Sequence, residues 1–177
     1  MRMPLIALAL FAAACTPPAA EPPPDQTASA GDVGETPPAH PDAAALGGAP
    51  QTGVWSFRGD AGTIAAGFGA PESEYLLTIV CEAPTGKLSL SYEHELTPDQ
   101  DTILRVITPT RSIDLPARSF NEGLPSVNAE LADDNPLKPL LIGVLGAPAD
   151  RFAVEVAGEI SVFLWDDAVA RALSACS

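Results

Sequence analysis

Tyr75-Leu76-Leu77-Thr78-Ile79-Val80-Cys81-Glu82 (YLLTIVCE) is the most strand-like run in the chain. Large and β-branched apolar residues suit a pleated, packed surface, and eight residues are too few for a buried helix. From Leu76 to Val80 the run is apolar on both faces apart from Thr78, the pattern of a central strand. Ala83-Pro84-Thr85-Gly86 then turns the chain. Lys87 to Glu93 follows with Leu88, Leu90 and Tyr92 alternating against Lys87, Ser89, Ser91 and Glu93, which marks a half-buried antiparallel strand. The two runs together predict a β-hairpin at the heart of a β-rich domain.

The same signals extend outward in both directions. Upstream, Gly53–Arg58 and Gly62–Phe68 predict a hairpin across Gly59-Asp60-Ala61-Gly62. That turn contains Arg58-Gly59-Asp60, a tripeptide some adhesion receptors read; Gly-Asp is ordinary turn chemistry, and a structural role is expected. Downstream, Thr97–Asp101 turns the chain into a strand over Thr102–Thr108. Arg111–Leu115 predicts a short strand closed by Pro116, and Val127, Ala129 and Leu131 a weaker one. Asn135-Pro136 opens a helix whose apolar residues are Leu137, Leu140, Leu141, Val144 and Leu145. Arg151–Val156 and Glu159–Trp165 form a hairpin across Ala157-Gly158. Asp166 caps a last helix over Asp167–Ala175, with Val169, Leu173 and Cys176 facing inward. The expected fold is mainly β: an antiparallel sandwich or partly open barrel with two short helices, one C-terminal.

The N-terminus reads differently. Arg2 precedes a short apolar run ending near Ala14, too short for a bilayer span and right for a secretory signal over residues 1–14. Residues 16–50 hold nine Pro and nine Ala with Val33 and Leu46 as the only large aliphatic residues. Such a stretch buries too little to offset its ordering entropy, so a disordered, polyproline-like tether over 15–50 is expected. His40 falls in it with no neighbouring ligand. This leaves 51–177 as one domain with a sizeable core.

Charge narrows the partners. The chain carries −14. Setting aside Arg2 and the tether acids (Glu21, Asp25, Asp32, Glu35, Asp42) leaves 18 acids against 8 bases, or −10, on the domain. That repels phosphate backbones, so nucleic acid is not an expected partner. An anionic membrane would repel it too, so attachment to a membrane needs something other than charge.

Phe11-Ala12-Ala13-Ala14-Cys15 resembles a bacterial lipoprotein lipobox, with Ala12 standing where the family usually has Leu. The resemblance implies diacylglycerol on the Cys15 sulfur, cleavage before Cys15, and acylation of its new amino group; several acyl chains anchor firmly. Ordinary cleavage after Ala14, leaving a free thiol, is the alternative. Thr16, rather than Asp, after the Cys resembles the sorting pattern for the outer membrane. With Cys15 used, Cys81 and Cys176 remain as an even pair in an oxidising compartment, and a disulfide between them is expected.

Little in the domain points to chemistry. His94 is its only histidine, and alternation sets Glu93 and Glu95 on the opposite side. No GxSxG surrounds any serine, no CxxC is present, and no phosphate-binding glycine loop occurs. Asp99, Asp101, Asp133 and Asp134 lie in turns without an EF-hand pattern. Arg105, Arg111 and Arg118 are expected to make cross-strand ion pairs with the surplus acids. No catalytic residue, metal site or cofactor is therefore assigned.

From Tyr75 to Cys176, YLLTIVCE with its APTGK turn, ELADDNPL, FAVEVAGEI and the closing helix resemble a group of small alphaproteobacterial lipoproteins. The resemblance implies a secreted β domain and carries over no catalytic residue. The expected function is a non-enzymatic lipoprotein, anchored in the outer membrane through Cys15 and facing the periplasm, that binds an envelope component, possible partners being envelope proteins. A periplasmic inhibitor of a lysozyme or protease is the alternative, by analogy of size, location and the Cys pair.

Overall fold

In a computed structural model, residues 41–121 and 123–177 are described. Residues 1–14, Cys15, the 16–40 part of the tether and His40 lie outside the described residues. The strands are β1 (Val54–Asp60), β2 (Thr63–Gly69), β3 (Leu77–Glu82), β4 (Lys87–Glu93), β5 (Asp101–Ile107), β6 (Ser112–Phe120), β7 (Ser126–Leu131), β8 (Arg151–Val156) and β9 (Glu159–Leu164). The helices are α1 (Leu137–Leu145) and α2 (Asp167–Ser174). All nine strands form one antiparallel sheet in the order β1-β2-β3-β4-β7-β6-β5-β8-β9, curled into a half-barrel. The expected mainly β, partly open barrel is the fold.

One face of the curl holds the core. Leu77, Ile79 and Cys81 of β3 pack with Leu88, Leu90 and Tyr92 of β4, with Phe152 and Val154 of β8, and with Phe163 of β9. Val169, Ala172 and Leu173 of α2 belong to the same cluster. The rings of Phe68, Phe152 and Phe163 make edge and stacked contacts at 5.1 and 5.5 Å. Ring pairs of this kind add directional attraction to the area they bury. Asp166 caps α2, accepting a hydrogen bond from the Ala168 amide at 2.8 Å. Cys81 and Cys176 form the expected disulfide, joining the end of α2 to β3 across 95 residues.

β3 is an interior strand, paired with β2 and β4, yet it is not the middle one. That place falls to β7, the strand with the weaker alternation, because β4 pairs with β7 rather than with β5. Gly67 of β2 lets the chain pass beneath the Tyr75 ring; a Cβ there would lie 2.8 Å from ring carbons. Gly86 has φ +65°, which the turn before β4 requires and glycine adopts without strain.

Three expectations change. β6 does not stop before Pro116 but runs on to Phe120. Ser119 donates its backbone N–H to Gln100, so the odd-numbered backbone groups of β6 face β5. Pro116 therefore presents its missing N–H to the other side. There the ladder with β7 is confined to Arg118–Phe120, so no β5–β6 bond is lost.

The ordered domain also begins earlier than residue 51. Pro41–Gly47 is a 3₁₀ helix whose Leu46, only 8% exposed, packs on Ile107, Ala153 and Val162. That contact covers the convex face of β8, which is why both Ala153 and Val154 are buried. Arg151 donates to the Leu46 carbonyl, and Pro50 and Gln51 add a short parallel pairing to β9. One well-placed leucine thus offsets the low apolar content of this stretch.

In α1 the buried face is set by Lys138, Leu141 and Leu145, while Leu140 stays 45% exposed. Asn135 accepts from the Leu137 amide, as a capping residue should. Lys138 is buried because its ammonium reaches Asp133 at 2.6 Å.

Two stability outcomes follow. Replacing both Cys81 and Cys176 by Ala should lower unfolding free energy by about 4.7 kcal/mol in urea titration, the chain-entropy value for so long a loop. Leu46→Ala should cost about 2 kcal/mol in the same assay; no change would place residues 41–50 outside the cooperative fold.

Candidate functional site

A depression of about 800 Å³ opens at the end of β4 and is lined by His94, Glu95, Leu96, Thr97, Gln100, Asn121 and Glu159, among others. Alternation along β4 turns Tyr92 into the core and makes it the last core residue on that strand. Its hydroxyl meets the Ser161 hydroxyl at 2.7 Å, and Gln51 donates to the same Ser161 oxygen at 3.0 Å. The Tyr92 ring stacks on His94 with centroids 5.9 Å apart. His94 Nδ1 then stands 3.7 Å from a Glu159 carboxylate oxygen.

The loop carrying the other lining residues is fixed from below. Ser119, fully buried, donates to the Thr97 carbonyl at 2.5 Å and accepts from the Gln100 amide at 2.9 Å. Asn121 donates to the Leu96 carbonyl at 3.2 Å. Backbone bonding holds the loop while the Glu95 and Gln100 side chains remain turned to solvent. The lining offers carboxylates, carboxamides and one imidazole, and no lysine or arginine. Such a set suits a neutral or cationic hydrogen-bonding ligand and disfavours an anion.

Among the described residues no serine or threonine hydroxyl is hydrogen-bonded to His94. Ser161 Oγ is engaged by Tyr92 and Gln51 rather than by His94. Glu93 and Glu95 are exposed on either side of the half-buried His94, as alternation requires. Among the described residues no three His, Cys, Asp or Glu side chains are grouped to hold a metal ion. Asp99 and Asp101 instead pair with Arg118 at 3.5 and 3.4 Å. Asp133 pairs with Lys138. The Arg58-Gly59-Asp60 tripeptide closes β1, with the Arg58 guanidinium over the Tyr75 ring and Asp60 accepting from the Ala61 amide.

Of the three arginines singled out by sequence, two make the expected ion pairs. Arg105 donates twice to Asp114, at 2.5 and 3.1 Å, from its cross-strand position, and Glu155 stands 3.6 Å away on the other side. Hydrogen bonding and attraction from Asp114 raise the Arg105 pKa further above its usual range, and hydrogen bonding to Arg105 lowers that of Asp114. Arg111 has no carboxylate partner among the described residues.

Sequence reading found His94 but not Gln51, Ser161 or Glu159, which lie far from it along the chain. Ser161 did carry a signal: it takes an inward position two residues before the core residue Phe163, where an apolar side chain is the rule. Comparison with family models, curated proteins and solved structures returned no match.

The Asp114 carboxyl sits below its unfolded value, so its contribution is fully present above pH ~4 and fades as pH falls through the folded-state pKa. Both partners are part-exposed, which limits the effect to less than about 1 kcal/mol. Asp114→Asn should therefore lower stability slightly at pH 7 and leave it unchanged near pH 2, measured by urea unfolding at each pH.

Proposed function

We propose that the chain is a non-enzymatic binding lipoprotein of the bacterial envelope, held in the outer membrane through Cys15, with its β domain in the periplasm. The Cys81–Cys176 bond carries this reading. A disulfide closing most of the domain suits an exported protein, and it leaves Cys15 as the one cysteine without an intramolecular partner. Cys15 stands directly after a short apolar run of signal length, where a lipobox-type cysteine belongs. The binding role is supported by the pocket beside His94, whose lining can hold a hydrogen-bonding ligand and offers no paired nucleophile among the described residues.

Cys15→Ala in a Gram-negative host should move the protein from the membrane fraction to the soluble periplasmic fraction, with the domain still folded and oxidised. Equal partition of wild type and variant would overturn the anchor.

A further inference from the structure

The eight cations of the domain divide unevenly. Lys87, Arg105, Arg118 and Lys138 have carboxylate partners. Arg58 and Arg171 lie over the rings of Tyr75 and Phe57, and Arg151 donates to a carbonyl. Arg111 alone has a side chain with no such partner among the described residues, in a domain where acids outnumber bases by more than two to one. Its backbone is firmly held: its N–H and C=O both bond within the Thr108–Arg111 turn, which presents the guanidinium at the tip of the β5–β6 hairpin.

That tip borders α1. Arg111, Thr110, Leu140, Gly143, Val144 and Ala147 are among the residues lining a groove of about 270 Å³. α1 is unusual for this chain, since no acid occurs from Asn135 to Ala149. Its apolar residues cover more of the helix than its buried face uses, which leaves Leu140 45% exposed beside the groove. Gly143 has open space where a side chain would stand, so an apolar group can approach the helix backbone closely. The groove is mixed in character, with Leu140 and Val144 of the helix on one side and, on the other, a pre-positioned guanidinium that has no carboxylate partner among the described residues.

We propose that this groove docks a peptide segment of another envelope protein, with an apolar side chain seated against Leu140 and Gly143 and an adjacent carboxylate paired with Arg111. The inference goes beyond the pocket at His94 and needs no occupant there. An anionic lipid surface is the less favoured occupant, because the rest of the domain is strongly acidic and the apolar area is small for interfacial insertion.

The test uses the full mature chain, ¹⁵N-labelled, titrated with a ten-residue peptide of alternating Leu and Glu. The expected result is saturable shifts at Arg111, Leu140 and Gly143, none at His94, and at least tenfold weaker binding for Arg111→Glu. A matched Leu/Lys peptide should leave those three residues unmoved. Both Arg111 and Leu140 are exposed, so Arg111→Glu and Leu140→Ser should keep the wild-type melting temperature, separating lost docking from lost folding. Shifts confined to His94, undiminished affinity in Arg111→Glu, self-association through Leu140 in sedimentation, or Arg111-dependent binding to phosphatidylglycerol vesicles in place of the peptide would each overturn the proposal.

Discussion

A nine-stranded antiparallel sheet with one apolar face must bury that face, and here it does so by curling around its own side chains. Curling leaves an opening, and α2 supplies the apolar residues that complete the cluster. The helix is only eight residues long, too short to hold its conformation alone. Its cap at Asp166, its packing through Val169 and Leu173, and the bond from Cys176 to Cys81 hold it in place. The remaining architecture depends on this arrangement, because residues on β1, β2 and β3 face α2 across the core.

The convex face follows a different rule. It is mostly half-exposed, and its charged pairs are open to water and individually weak. The exception is the patch under Leu46, where the segment from Pro41 to Gln51 folds back over β5, β8 and β9. The chain thus reaches the sheet already ordered. Gln51 at the end of this segment also touches Ser161, which touches Tyr92, which stacks on His94. The entry segment and the polar pocket are parts of one hydrogen-bonded and stacked chain of side chains.

Local patterns in the sequence carried most of the strands. The β3–β4 hairpin was legible because alternation and turn chemistry agreed over Leu77–Glu93, and the disulfide because the cysteine count left one pair. What stayed hidden depended on distant partners. Pro116 looked like a stop because its tolerance depends on which side of β6 lacks a neighbour, a property of strand order. Leu46 looked isolated because its partners Ile107, Ala153 and Val162 lie on three strands. The spacing of apolar residues in α1 predicts one buried face, but of those five residues Leu141 and Leu145 are buried, Leu137 and Val144 are partly buried, and Leu140 is left exposed. For the pocket, His94 was visible as a lone histidine, while Ser161 and Glu159 became its neighbours only through the placement of β9 beyond β8.

The central claim is the proposed one, that Cys15 carries lipid while Cys81 and Cys176 are bonded to each other. Intact-mass spectrometry of the protein extracted from its native membrane, before and after reduction, tests this most directly. The account predicts a chain beginning at Cys15, heavier by diacylglycerol and an amide-linked acyl chain, and gaining two hydrogens on reduction as the Cys81–Cys176 bond opens. A chain with an unmodified Cys15 thiol, or no mass change on reduction, would contradict it.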